Sequence, residues 1–452
     1  MIKTKEVLPL SLAAFTATLL SIPGLAQQGQ AVAGYKLLTT IATPGNLAGG
    51  NDISWVDPSG ARYYLADRGV ATATPPIAAH IDVIDTQNVQ FLASIPLTAA
   101  PNGVVAVPRA HELWAGLSDS TVAVINTDNY TVTHVVNTGG KMRADELAYD
   151  PVDRVILIAN DRDSPPFVSF ISAQNYTVLK TLNYDGAAAP QSTGGLEQPV
   201  WDGVTGKFYM SIPATSKNPN GEVDELDPIA LTVTRSMPTV CKGPAGLVLV
   251  PNQRLVTSCG DVIDIVSGAV VTTIQGVSGD EIYYSAGDQR VYFAGGTDRI
   301  SVNVVDANTY AVLTSLTVGQ IVPSPGVSQT THSVAVDADS NLVFVPVTGA
   351  GVEVWRNGAS LTATPNPITV TSGTVYTSAL ISWNAPNAKL IEVHVGSPTG
   401  PLFTQNGSRG AMATGVWVAD GTAFYLQDVT GGVPASAANT IATAVVRFQS
   451  KM

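Results

Sequence analysis

Seven stretches of this chain repeat one pattern: "DISWVDPSGARYYLADRG" from Asp52, "NGVVAVPRAHELWAGLSD" from Asn102, "ELAYDPVDRVILIANDRD" from Glu146, "EQPVWDGVTGKFYMSIPA" from Glu197, "AGLVLVPNQRLVTSCGD" from Ala245, "EIYYSAGDQRVYFAGGTD" from Glu281 and "HSVAVDADSNLVFVPVTG" from His332. Each reads as strand, turn, strand, with short runs rich in Val, Tyr, Ile and Leu around turn residues. Most copies are followed by two more strands, as in "HIDVIDTQNVQFLASIPL", "STVAVINTDNYTVTHVVNT" and "ISVNVVDANTYAVLTSLTV", with Asn-Tyr, Asn-Thr or a similar pair at the hairpin. Four antiparallel strands repeated seven times predict an all-β fold, a seven-bladed β-propeller. The seventh copy stops at "GVEVWRN" without a fourth strand, while a spare strand, "YKLLTTIAT" from Tyr35, precedes the first copy. It matches the outer strands "YTVLKTL" and "YAVLTSL", so the N-terminal strand is expected to close the ring and remove two exposed edges.

Two of these copies, "PNGVVAVPRAHELWAG" and "HSVAVDADSNLVFVP", resemble the YVTN-type β-propeller repeat family. The resemblance spans residues 35–357 and implies the fold. It implies little about activity, since such propellers include surface-layer proteins, binding proteins and enzymes. Several copies here place Glu, Gln or Ile where the family has Gly.

The chain changes character after Asn357. "GASLTATPNPITVTSG" reads as a linker, and "ALISWNAP", "KLIEVHVG", "TAFYLQDV" and "IATAVVRF" alternate apolar and polar residues. Residues 358–452 are expected to form a small β-sandwich resembling immunoglobulin-like or fibronectin-like modules, with Trp383 in its core. Modules of this kind are commonly appended to secreted bacterial proteins, which suggests a bacterial source. The propeller is assigned to residues 27–357.

At the other end, Lys3 and Lys5 precede an apolar run over residues 7–20, and Gly24-Leu25-Ala26 supplies small residues for cleavage. Residues 1–26 therefore read as a signal peptide, and the protein as secreted, periplasmic or extracellular. No later apolar run is long enough to span a membrane as a helix. Export permits disulfides, and a hairpin would set Cys241 and Cys259 side by side. The net charge of −12 argues against nucleic acid and anionic membranes as partners.

The acids converge at the heads of the repeats. In a propeller the first strand of each blade lines the channel, and the heads of these strands carry Asp52, Asn102, Asp145-Glu146, Glu197, Asp280-Glu281 and His332. Converging carboxylates need a cation, a proton or an arginine. Asp52, Glu146, Glu197, Glu281 and His332 are thus candidate ligands of a divalent metal, Ca, Mg or Mn by their oxygens, Zn or Fe by the histidine. Six-bladed lactonases of the gluconolactonase type place a metal in a similar way, an analogy of architecture only. Loops after the second strands bring Asp67-Arg68, Asp119, Asp161-Arg162-Asp163 and Asp298-Arg299 to the same mouth. Arg68, Asp161, Arg162 and His80 are the candidate ligand-binding residues there, the arginines as clamps for an anionic group. The plain alternative is a hydrated channel with rim ion pairs. His111, His134 and His394 read as structural.

Serine-hydrolase elbows, zincin motifs, phosphate loops and Cys-x-x-Cys are absent from the sequence. These observations predict a secreted binding protein for a small molecule or an extracellular polymer, its ligand at the channel mouth. The rivals are a metal-dependent, lactonase-like hydrolase or lyase, and a surface scaffold for protein or polysaccharide.

Overall fold

The computed structural model of the protein describes residues 35–450 apart from 322–327, 357, 372, 386 and 387. The leader assigned to residues 1–26, the domain boundary at 357 and part of the long loop before His332 lie outside them.

The described residues are all-β. Seven four-stranded antiparallel sheets follow one another between Lys36 and Arg356. The first consists of Asn51–Asp57, Arg62–Asp67, His80–Asp85 and Gln90–Pro96. The next five begin with Pro101–Val107, Leu147–Asp150, Pro199–Asp202, Leu247–Val250 and Ile282–Ser285. The seventh begins with Ala335–Asp337, and its fourth strand is Lys36–Ile41, paired antiparallel with Gly351–Arg356. Each sheet's first strand packs against the first strand of the next, and Ala335–Asp337 packs against Asn51–Asp57. Many four-stranded sheets in series are the arrangement of a β-propeller.

Local chemistry explains the recurring unit. Asp57, Asp150 and Asp202 end first strands and accept the backbone N–H groups of Ser59, Val152 and Val204 at 3.0, 2.8 and 3.0 Å. The side chain thereby organises the turn that follows. In the outer hairpins Tyr130, Tyr176 and Tyr310 take left-handed backbone angles, φ 58°, 56° and 61°. In every sheet the register between the last two strands slips beside that hairpin or along its outer edge, as a β-bulge does. Middle strands such as Val155–Asn160 and Phe167–Ser172 are buried throughout, because both faces of the sheet are covered by neighbours. Outer strands such as Gln90–Pro96 are largely open to solvent. Cys241 and Cys259 are joined by a disulfide, Cα atoms 5.8 Å apart.

Beyond the seventh sheet, Ser360–Thr364, Leu380–Asn384 and Arg409–Ala413 form one antiparallel sheet. Leu402–Asn406, Ile391–Val395, Ala423–Asp428 and Thr440–Val445 form another. A core of their own holds them, with Ile381, Trp383, Ile391, Val393, Phe424 and Leu426 buried. The Trp383 indole N–H donates to the Gly407 carbonyl at 3.1 Å. Among the described residues no helix is long and apolar enough to cross a membrane.

Candidate functional site

The heads of the first strands carry two layers of acids, and alternation along extended backbone separates them. Neighbouring residues of an extended segment point opposite ways. Asp145 therefore turns to one side and Glu146 to the other, and Asp280 and Glu281 part similarly. Close packing holds this register: a Cβ on Gly103 would lie 2.2 Å from the Asp145 carbonyl oxygen, and one on Gly116 2.6 Å from it. Only glycine lets these backbones approach so closely.

The outer layer is an ion-pair network centred on Arg143. Its guanidinium reaches Asp145 Oδ2 at 2.5 Å, Asp161 at 2.8 and 3.0 Å through two nitrogens, and Asp52 Oδ2 at 3.6 Å. Arg68 pairs with Asp52 and donates to Asn102 Oδ1 at 3.2 Å. Arg162 bonds Asp161 Oδ2 at 2.9 Å, with its own side chain 65% exposed. His332 donates through Nε2 to the Asn51 carbonyl at 3.0 Å and faces Asp280 Oδ2 at 3.4 Å through Nδ1. Burial opposes the imidazolium, but Asp280 and Asp52 outweigh it and raise the proton affinity of His332. Burial likewise pushes Asp280 up, yet His332 prevails and holds it below the ordinary carboxyl range. Glu197 carries no such close partner: burial, then Asp161 and Asp280, push it up to about 7.

The inner layer is Glu146 and Glu281, 3% and 6% exposed. Burial first, then neighbouring carboxyls (Glu281 and Glu197 for Glu146, Asp280 for Glu281), push both well above the usual range. The two carboxyls are within hydrogen-bonding reach of each other, and each Oε2 is buried with no donor from any other described residue. These two glutamates stand at one end of a cavity of about 1050 Å³. It runs along the first strands of the first six sheets and past Ser333 and Val334 ahead of the seventh, reaching the turns that follow the first strands of the first three, with Ser54, Gln198, Trp55, Tyr149, Leu249 and Trp201 among its walls. Asp52, Asp145, Glu197, Asp280 and His332 do not line it. The indole N–H of Trp201 is buried there without a partner.

The five residues expected to share one metal are thus divided. Asp52, Glu197 and His332 sit in the arginine-neutralised outer layer, while Glu146 and Glu281 face the cavity. Among the described residues, they do not bring three donor atoms within metal-ligating distance of one another; Asp67, His80 and Asp82 do. Arginine supplies positive charge to Asp52, Asp145 and Asp161. Of the expected ligand-binding residues, Arg68, Asp161 and Arg162 belong to one ion-pair network, linked through Asp52 and Arg143. His80 does not: it opens the third strand of the first sheet and is 3% exposed, its ring between Asp67 and Asp82. Asp163 accepts from Lys141 N at 2.9 Å, in the loop that leads into the third sheet, and Asp298 caps its own loop, accepting from Ile300 N at 3.1 Å.

Arg143 was not singled out from the sequence. The available signal was its spacing, since "RAD" in an extended segment sets Arg143 and Asp145 on one side. The aromatic walls escaped notice because Trp55, Tyr149 and Trp201 read as ordinary strand residues. His111 pairs with Asp128 at the surface, His134 stacks on Tyr176 and His394 sits between Glu392 and the Gly400 carbonyl. No protein-family model matches the chain, and no curated protein matches it.

Proposed function

We propose that this chain is an exported seven-bladed β-propeller of the YVTN-type kind, closed by its N-terminal strand and followed by an immunoglobulin-like β-sandwich. It acts as a binding protein whose ligand lies inside the channel. The observation that carries this reading is the cavity of about 1050 Å³, apolar and aromatic along its walls and ended by two buried carboxyls to which no other described residue donates at Oε2. Pockets that bind small organic molecules have this composition: a large apolar surface with a few polar groups that fix orientation. The ligand that fits has an aromatic or aliphatic body and an ammonium or hydrogen-bond-donating end. The body packs between Trp55 and Trp201, and the donor end meets Glu146 and Glu281. The outer network of Arg143, Arg68 and Arg162 holds the strand heads in register and screens the inner glutamates from that mouth.

A matched pair of probes tests this. Binding of 2-naphthylmethylamine and of 2-naphthoate is followed by tryptophan fluorescence. The amine is expected to bind at least tenfold more tightly, and Glu281→Gln to erase that preference while the fold is retained by circular dichroism. Equal binding of both probes, or none, would remove the channel site.

The raised carboxyl pair also favours a second reading, a hydrolase in which one of Glu146 and Glu281 donates a proton and the other accepts one. Turnover of a lactone and ester panel, abolished in Glu146→Gln, would move the assignment from binder to enzyme.

A further inference from the structure

We infer that the first sheet holds a divalent transition-metal ion, zinc or a metal of similar preference, between Asp67, His80 and Asp82. Asp67 ends the second strand and His80 opens the third, directly paired across the ladder. Asp82 lies two residues beyond His80, on the same face of its strand. The three residues are 0, 3 and 0% exposed. His80 Nε2 stands 3.0 Å from Asp82 Oδ1 and 3.4 Å from Asp67 Oδ2. Donor atoms of all three lie within 4.8 Å of one another.

The imidazole shows what this arrangement takes. Its Nδ1 lies 2.7 Å from the Ala78 carbonyl, which can only accept, so Nδ1 carries a proton. This is the orientation that a metal-ligating histidine is usually given by its backbone partner. Nε2 then points between the two buried carboxylates, nearest to Asp82 Oδ1. Among the described residues no backbone or other side-chain donor reaches Asp67 Oδ2 or Asp82 Oδ2, and the two carboxyls are close enough to hydrogen-bond each other when one is protonated. Three electron-rich atoms face one point. With bonds of about 2.0–2.1 Å, a tetrahedral zinc sets its ligands about 3.3 Å apart, close to the two distances from Nε2. The charges also close: two carboxylates and a neutral imidazole offset one divalent cation, whereas an imidazolium would leave a buried net charge of about −1.

Outer partners orient both carboxylates. The Gly69 N–H donates to Asp67 Oδ1 at 2.7 Å, and Ser94 Oγ donates at 3.4 Å to Asp82 Oδ1, the oxygen that faces Nε2. The repeat itself does not require this triad. In the third sheet the ladder pair corresponding to Asp67 and His80 is Asn160 and Phe167, and in the fourth Ile212 and Glu222. A nitrogen with carboxylate oxygens favours zinc, cobalt or manganese over calcium or magnesium.

The test uses the mature protein purified without chelator or immobilised metal. Elemental analysis and titration with Zn²⁺ and Co²⁺ are expected to find one tight site, with cobalt absorption in the visible range characteristic of low coordination. Asp82→Asn and His80→Gln should each lower the affinity at least 100-fold, whereas Glu281→Gln in the channel should leave it unchanged. Should either triad variant fail to fold, nitrogen NMR of His80 in the wild-type protein decides. A zinc-dependent shift at Nε2, with no proton there, supports the site. A proton on both ring nitrogens, unaffected by zinc, would overturn it and leave a buried imidazolium between two acids.

Discussion

At the scale of single residues, the two arginines at the mouth should behave very differently despite their similar setting. Arg143 is 22% exposed and touches three carboxylates, so Arg143→Ala leaves Asp52, Asp145 and Asp161 facing one another. Removal of one partner from a mostly buried charge group costs about 3 kcal/mol. Arg162 is 65% exposed, and Arg162→Ala should cost less than about 1 kcal/mol. Urea denaturation of both variants, with unchanged m-values, measures the contrast. Glu197 predicts a pH effect of defined sign. Its proton affinity is raised to about 7 in the folded state, so the folded state holds a proton that the unfolded chain releases. The stability tied to that proton is complete below about pH 4.5 and is lost as pH rises through 7. Glu197→Gln should therefore gain on the wild type between pH 5 and pH 8, and parallel melts across that range would show a flat difference if the group were unperturbed.

At the scale of elements, the disulfide and the turn aspartates carry the local stability. Cys241 and Cys259 are 18 residues apart in sequence, across the start of the fifth sheet. A closed loop of that length restricts the unfolded chain by about 3 kcal/mol. The Cys241→Ser/Cys259→Ser double variant should lose about that amount in denaturant midpoint analysis, and a loss confined to Cys259→Ser would point to packing instead. The strand–turn–strand unit was legible because its signals are local: alternating apolar residues, an Asp ending the first strand and a short turn. Its site role was less legible. His80 sits beside a Pro-rich loop in sequence and seemed free to reach the mouth. The ladder pairing with Asp67 instead draws it into the sheet interior, a contact that depends on strand register.

For the whole molecule, Lys36–Ile41 is the informative segment. It is far in sequence from Gly351–Arg356 but completes that sheet through a five-pair register. Deletion of residues 35–41 would expose the edge of Gly351–Arg356 over its full length, an invitation to intermolecular pairing. Size-exclusion chromatography of the deletion variant is expected to show self-association or loss of the folded monomer. An unchanged monomer with wild-type melting would mean that this strand adds little to the assembly.

The sequence by itself determined the all-β class, the four-stranded repeat, the strand that joins the last sheet and the further β-strands that follow it. Each of these is written in short-range periodicity or in the match of one segment to another. Only the tertiary structure decided how the acids are used. Asp145 and Glu146 are adjacent in sequence, yet one faces Arg143 and the other the cavity, since extended backbone sends neighbours to opposite sides. Asp67, His80 and Asp82 meet because two strands pair in one register and burial removes the water that would otherwise separate them. Neither outcome follows from composition, for charge balance is settled between residues that only folding brings within a few ångströms.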